Sequence, residues 1–125
     1  MKVSVEALSK VEIITNKAKI PELRVEMGRF GITGMTIYQV KGFGVQMGMQ
    51  EFETEPTEEP KLLDKVLVMV VLPSEEVDSF LDFVEKELYT GHIGDGKIFV
   101  SPVTNAIRIR TGEEGTSAIE EGTAY

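Results

Sequence analysis

The sequence contains no cysteine, no tryptophan and a single histidine. Without cysteine the chain cannot form disulfides, thiolate metal sites or a cysteine nucleophile. One histidine without spaced carboxylate partners does not make a metal site either. The longest apolar run, residues 66–72, is far too short to span a membrane. The first residues lack the apolar stretch of a signal peptide, so we expect a cytoplasmic protein.

Positive charge is also scarce, because 13 lysines and arginines stand against 21 acidic residues and the formal net charge is −8. A strongly acidic protein is poorly suited to binding nucleic acid without sequence preference. Five glutamates fall within residues 51–59, where they form either a solvated acidic loop or a surface that docks on a basic partner. No catalytic pattern of nucleophile, base and acid is recognisable. We therefore predict that the protein is not an enzyme.

Residue periodicity predicts four main strands and two helices in one domain, residues 1–125. The strands are expected at residues 11–15, 36–40, 65–72 and 97–102, with a short extra strand at 105–111. The apolar stripes of the two helices are Ile20, Leu23, Met27 and Phe30, and Val77, Phe80, Leu81, Val84 and Leu88. Gly31 is expected to end the first helix and Ser74 to cap the second. The order βαββαβ predicts an α+β sandwich of the ferredoxin-like type.

Two segments stand apart from this regular pattern. Residues 43–61 combine glycine, proline and dense acidic charge, which predicts a long loop rather than a strand or helix. Loops of this length are usually functional or disordered. The polar C-terminal tail, residues 113–125, is expected to be flexible unless something pins it.

The strand at residues 65–72 is apolar on both of its alternating faces. Two helices can cover only one face of the sheet, so the second face is expected to be covered by another subunit. The alternative is a central strand with a locally hydrophobic outer face.

The segment Thr90–Lys97 reads TGHIGDGK and carries three glycines within six residues. Glycines allow backbone N–H groups to approach a ligand closely and to form an anion-binding concavity, and Lys97 adds a positive charge. The spacing is not that of a Walker A loop. The segment is therefore either a polyphosphate cradle or a plain turn, since Asp-Gly is a common turn signal.

Arg108 and Arg110 alternate with Ile107 and Ile109. In a strand the two arginines would leave the same face about 7 Å apart. That arrangement suits a phosphate chain, and it also fits the solvated outer face of an edge strand.

Three stretches resemble the PII family of signal-transduction proteins: residues 31–46 (GITGMTIYQVKGFGVQ), 90–100 (TGHIGDGKIFV) and 106–114 (AIRIRTGEE). The resemblance covers about residues 10–115. It implies a homotrimer of ferredoxin-like subunits, with one ligand cleft between each pair of neighbours. It also implies that the loop at residues 43–61 is the T-loop, which contacts an effector protein in a ligand-dependent conformation.

The resemblance implies an adenine nucleotide, ADP, AMP or ATP, in each cleft, with Arg108 and Arg110 reaching the phosphates from the neighbouring subunit. The residues assigned to the nucleotide are Ile14, Thr36, Gly42, Gln46, Thr90, Gly94, Asp95, Gly96, Lys97, Arg108 and Arg110. A second ligand, 2-oxoglutarate or bicarbonate, is implied at Gly44, Gln46 and Lys65. When ATP is bound, Gln46 would also ligate Mg²⁺.

The chain departs from the family pattern at Val45 and Met47, where relatives usually carry arginine and commonly lysine. Losing two cations should weaken the hold on a γ-phosphate, and we therefore expect a preference for ADP or AMP over ATP. The positions that relatives uridylylate or phosphorylate hold Glu58 and Pro56, so neither modification is possible. The altered T-loop favours a transporter or metabolic enzyme as partner, with a link to inorganic carbon (bicarbonate) uptake. The alternatives are a nitrogen regulator responding to ATP and 2-oxoglutarate, a structural trimer without ligand control, and a slow nucleotide hydrolase.

Overall fold

A computed structural model describes residues 7–32, 34–43, 62–91 and 95–120 of the chain. Its elements, in chain order, are β1 (Leu8–Thr15), α1 (Ile20–Phe30), β2 (Thr36–Gly42), β3 (Leu63–Pro73), α2 (Val77–Leu88) and β4 (Lys97–Val103). Short 3-10 helices cover Lys17–Lys19, Ser74–Glu76 and Gly115–Ala118. The predicted βαββαβ order is confirmed. Most of the predicted T-loop and the last five residues of the predicted tail lie outside the described residues.

The four strands form one antiparallel sheet in the order β2-β3-β1-β4. β1 is central, and its residue Ile13 pairs with Val68 of β3 on one side and with Ile98 of β4 on the other. Interleaving the two βαβ halves in this way is the ferredoxin-like topology, which confirms the predicted fold class.

Both helices cover the same face of the sheet. This face carries Val11 and Ile13 of β1 and the alternate residues Val68 and Val70 of β3, all fully buried. The helix residues that pack on them are Leu23, Met27, Val77, Phe80, Val84 and Leu88. The ring of Phe30 stacks on that of Phe83 at a centroid distance of 5.0 Å, which joins the two helices. Both predicted apolar stripes therefore face the core.

Gly31 ends α1 as predicted, with a left-handed φ of 106° and its N–H bonded to the Met27 carbonyl. The prediction that Ser74 caps the second helix is wrong. Ser74 begins a 3-10 turn that precedes α2, and the residue at the N-cap of α2 is Glu76, with no side-chain cap bond. Because β3 runs on to Pro73 opposite Leu8, the Ser74 hydroxyl meets that of Ser9 at 2.6 Å and bonds with it instead.

The predicted strand at residues 105–111 is also wrong, because this segment forms a tight turn. The Arg108 N–H donates to the Glu113 carbonyl, and the Gly112 N–H donates back to the Arg108 carbonyl. Gly112 has a φ of 74°, which reverses the chain where a strand would have to continue. Only an isolated bridge, Ile107 with Glu114, remains of the strand pairing.

In the described part of the chain the second face of the sheet is apolar along β3, while the central strand β1 places Lys10 and Glu12 on it. On β3 it carries Leu67, Met69 and Val71, which are only half-buried. Tyr38 of β2 and Phe99 of β4 lie on the same face and are 48% and 52% exposed. Among the residues that the structure describes, no helix is long and apolar enough to cross a membrane.

Candidate functional site

A cavity of about 600 Å³ lies between α2 and the end of the sheet where β1 finishes and β4 begins. One wall is apolar and includes Val84 and Leu88 of α2. The predicted ligand residues that line it are Ile14, Asp95, Gly96 and Lys97. Within the described part of the chain the Lys97 side chain has no ion pair, so its charge is available to a ligand. The cavity joins an apolar surface to a cationic rim.

Gly96 is the closest point between this loop and the sheet. A Cβ at residue 96 would lie 2.0 Å from the Ile14 carbonyl oxygen, and the residue has a φ of 118°. Both features require glycine, since no side chain fits and the conformation is strained for an L-residue. The loop therefore runs directly against the β1 backbone, with Lys97 beginning the next strand opposite Ile14.

Asp95 closes the loop on itself. Its carboxylate accepts hydrogen bonds from the Thr90 hydroxyl, from the Thr90 N–H at 2.8 Å and from the Gly91 N–H at 3.1 Å. The Thr90 bonds contribute most to holding the pKa of Asp95 below its ordinary value, and they outweigh slight burial, which raises the pKa. The Gly91 N–H and the charge of Lys19 add smaller lowering effects. Asp95 is thus an ionised internal clamp of the loop.

Thr15 is a site residue that the sequence analysis missed. It is the last residue of β1 and only 1% exposed, and its hydroxyl donates to the Asp95 carbonyl at 2.9 Å. The signal was available in the sequence: Val11, Ile13 and Thr15 alternate toward the core, so the last of them buries a hydroxyl that needs a partner.

A second cavity, of about 510 Å³, lies over the open sheet face beside Met69 and Val71. It brings together the predicted ligand residues Thr36, Arg108 and Arg110. The two arginines thus share one cavity, although they stand on a turn and not on a strand. The Arg108 guanidinium also donates to the carbonyls of Ala118 and Glu120, at 3.1 and 2.9 Å. These bonds pin the described part of the C-terminal tail, whose predicted flexibility stays a prediction.

The remaining predicted residues with described positions lie near the end of the sheet close to the first cavity. Gly42 pairs with Leu63, and a Cβ on it would be 4.0 Å from the Lys65 side chain. The Lys65 ammonium donates to the Asn16 side-chain oxygen at 2.7 Å. Asn16, like Thr15, was missed in the sequence analysis.

The resemblance assigns Thr36 and Gly42 to the same nucleotide, yet they begin and end β2. Six strand residues span about 20 Å, so one chain does not bring these two residues together. Gly44, Gln46 and Gly94 lie outside the described residues, as do Val45 and Met47, which motivated the expected nucleotide preference.

The fold and the two cavities identify a ferredoxin-like α+β protein whose candidate ligand residues lie on loops at the ends and on the open face of its sheet. The family model described as nitrogen regulatory protein P-II matches residues 8–113, so the chain belongs to that family. It is accordingly a regulatory protein of PII signal transduction and not an enzyme.

Curated relatives match over their full length. The nitrogen regulatory protein P-II of Nostoc punctiforme is 41% identical over 112 residues, which is 90% of this chain and 100% of the relative. Nitrogen regulatory protein P-II 1 of Escherichia coli is 42% identical over the same coverage.

Solved structures agree with the fold. A B. subtilis GlnK-ATP complex superimposes with a TM-score of 0.75 at 36% identity, covering 90% of this chain and 95% of that one. Arabidopsis thaliana PII bound to citrate superimposes with a TM-score of 0.74 at 35% identity, covering 90% and 92%.

Proposed function

We propose that this protein is a cytoplasmic sensor of adenine nucleotides that works as a homotrimer. The nucleotide binds in clefts between subunits, and its identity sets the conformation of the loop at residues 43–61. That loop in turn controls a transporter or a metabolic enzyme.

The observation that carries the proposal is the separation of the candidate ligand residues into two cavities. Asp95, Gly96 and Lys97 line one, and Arg108 and Arg110 line the other, on the open sheet face. Among the residues that the structure describes, these two cationic groups line different cavities. They can act on one polyphosphate if the first cavity of one subunit meets the second cavity of its neighbour. Such a head-to-tail contact closes into a ring, as a trimer requires.

The open sheet face supports this assembly. Leu67, Met69 and Val71 form an apolar row beside the exposed ring of Tyr38. Phe99 lies on the same face beyond Glu12 of β1. An exposed apolar row of this kind usually marks an interface. The positions of Thr36 and Gly42 fit as well, because two residues about 20 Å apart on one strand can meet at the same part of a nucleotide if they come from different subunits.

The ligand class follows from the loop chemistry and from the relatives. The Gly96–Lys97 segment offers backbone and ammonium groups suited to phosphate, while the apolar wall of the first cavity suits a base. A B. subtilis relative forms a complex with ATP, and an Arabidopsis relative binds citrate. For the present chain we propose ADP or AMP in preference to ATP, because Val45 and Met47 supply no cation for a γ-phosphate.

A second, small anionic ligand is proposed near Lys65, with Gly44 and Gln46 as its other contacts. We propose bicarbonate and a link to inorganic carbon uptake, on the ground that the T-loop departs from the family pattern. The second candidate is regulation of nitrogen metabolism by ATP, Mg²⁺ and 2-oxoglutarate. It is favoured by the names of the relatives, which are nitrogen regulatory proteins.

Subunit complementation tests the shared site. Lys97→Ala and Arg110→Ala should each weaken ADP binding strongly when all subunits carry the same change. In trimers unfolded and refolded from an equal mixture, about a quarter of the interfaces combine an intact Lys97 with an intact Arg110. These interfaces should bind ADP as the unmodified protein does. Mixed trimers without any tight sites would contradict a site built from two subunits.

Calorimetric titration identifies the ligands. AMP, ADP and ATP with Mg²⁺ are each titrated alone, with 2-oxoglutarate and with bicarbonate. Tighter binding of ADP or AMP, strengthened by bicarbonate, is the expected result. Tighter binding of ATP that 2-oxoglutarate strengthens would instead establish the nitrogen regulator. If no nucleotide binds, the result favours the alternative of a structural trimer without ligand control.

A further inference from the structure

The loop that carries Gly96 and Lys97 is fastened to the sheet by a group that no ligand can reach. Thr15 is 1% exposed, and its hydroxyl donates to the Asp95 carbonyl at 2.9 Å. Asp95 directly precedes Gly96, which lies so close to β1 that an added Cβ would be 2.0 Å from the Ile14 carbonyl oxygen. The hydroxyl and the glycine contact therefore fix two consecutive residues of the loop against the end of β1.

The Asp95 side chain holds the other end of the same loop. Its carboxylate accepts from the N–H groups of Thr90 and Gly91 and from the Thr90 hydroxyl. Oxygens engaged in this way face the backbone of the loop. A carboxylate in direct contact with a phosphate would repel it, so the charge of Asp95 is unfavourable for anion binding unless it serves to shape the loop.

We propose that Thr15 and Asp95 are positioning residues of the anion loop: they hold its described ends, residues 90–91 and 95–97, where these accept a nucleotide phosphate, and neither contacts the nucleotide. The expected effect on ADP affinity rests on the proposed function, because it requires that the protein binds a nucleotide. This inference removes Asp95 from the direct contacts that the family resemblance implies, and it adds the buried Thr15, which the resemblance does not include. Binding then depends on preorganisation of the loop, because a loop that is already ordered loses less entropy when the ligand arrives.

The first test replaces the buried hydroxyl. Thr15→Val keeps the shape of the side chain but leaves the Asp95 carbonyl without its donor, and Thr15→Ser keeps the donor. The affinity for ADP should fall about five- to tenfold in Thr15→Val, the size of one lost hydrogen bond. Thr15→Ser should stay within about twofold of the unmodified protein. Thr104→Val, on the exposed residue after β4, is the matched control and should bind ADP normally.

The second test removes the charge of Asp95. A carboxylate that only lies near the phosphates and a carboxylate that positions the loop predict opposite changes in ADP affinity. If Asp95 merely stood near the phosphates, Asp95→Asn would relieve repulsion and tighten ADP binding. If Asp95 positions the loop, the same change weakens binding by about three- to tenfold, since the amide oxygen that remains accepts the two N–H bonds without the assistance of a charge and the second oxygen no longer accepts from the Thr90 hydroxyl. Tighter binding by Asp95→Asn would overturn the inference.

Amide hydrogen exchange separates this inference from the proposed function, because it needs no ligand. In the ligand-free protein the amides of Thr90 and Gly91 should exchange faster in Asp95→Asn and in Thr15→Val than in Thr104→Val. Unchanged exchange, or normal ADP affinity in Thr15→Val, would refute the positioning role. If the unmodified protein fails to bind ADP while exchange responds as expected, the proposed function falls and the loop-holding role of the two residues stands.

Discussion

The two segments that carry the candidate anion contacts are fixed in different ways. The end of the first segment, residues 95–97, lies against β1 so closely that residue 96 has no room for a side chain. The turn at residues 105–115 is closed by backbone bonds within the segment, and side chains hold its ends. Asn105 accepts from the N–H groups of Ala106 and Gly115, and Arg108 donates to the carbonyls of Ala118 and Glu120.

This difference separates the tasks of the charged groups. In the loop, Lys97 is not needed to hold the fold, because Gly96, Asp95 and Thr15 do so. In the turn, Arg108 serves the fold, while Arg110 is exposed. A phosphate that engages the guanidinium of Arg108 therefore competes with the C-terminal carbonyls, whereas Lys97 can bind one without breaking an ion pair within the described residues.

The largest difference between the segments should appear at their glycines. Gly96→Ala should lower the free energy of unfolding by at least about 3 kcal/mol, because it adds a backbone clash to an unfavourable positive φ. Gly112→Ala, in the turn, has a φ of 74° but nothing within 4 Å of the added Cβ. It should cost only about 1 kcal/mol. Chemical denaturation of both variants measures the difference, and equal losses would contradict close docking of the loop.

The same contrast explains which parts of the molecule could be predicted. Glycine clusters and apolar periodicity are local signals, so the loop at 90–97, both helices and the four main strands follow from the sequence. The turn at 105–111 was mistaken for a strand because Ile107, Arg108, Ile109 and Arg110 alternate as strand residues do. What reverses the chain is Gly112 and the side chain of Asn105, which bonds ten residues away to Gly115.

Hydrogen bonds between residues far apart in the chain could not be predicted from the sequence either. Ser74 is a good cap by type, but the register of β3 with β1 brings it to Ser9, 65 residues earlier. Thr15 and Asp95 meet across 80 residues. Assigning such partners requires knowing how the strands pair, which periodicity alone does not give.

The two arginines of the turn should differ in their contribution to stability. Arg108→Ala should lower the free energy of unfolding by about 1–2 kcal/mol, because its half-buried guanidinium bonds two carbonyls. It should also speed amide exchange in residues 115–120. Arg110→Ala is the matched control and should change stability by less than about 0.5 kcal/mol. Equal stability of the two variants would show that Arg108 does not pin the C-terminal segment.

A smaller loss of stability is expected when Asn105, at the start of the turn, is replaced. Asn105→Ala removes the oxygen that accepts from two backbone N–H groups, and should cost about 1 kcal/mol. Gln39→Ala, an exposed amide on β2, is the control and should be close to neutral. The expected loss should be accompanied by faster amide exchange at Gly115. Protection of that amide in Asn105→Ala would mean that its backbone bond to the Ala106 carbonyl, at 3.0 Å, is enough to hold the turn.

The smallest predicted effect is the pH dependence of the loop clamp. Because the pKa of Asp95 is lowered in the folded protein by its bonds to Thr90 and Gly91, its ionised form stabilises the fold. This contribution is fully present above the pKa of an unfolded aspartate, about 4, and is lost as the pH falls through the lowered value. Asp95→Asn should therefore show a shallower loss of stability than the unmodified protein below about pH 4. Asp64, whose pKa the Lys41 side chain also lowers, titrates in the same window but is present in both proteins, so the difference between the two curves isolates the clamp. Parallel curves would mean that the carboxylate of Asp95 does not hold the loop in solution, and the loop would then depend on Gly96 and Thr15 alone.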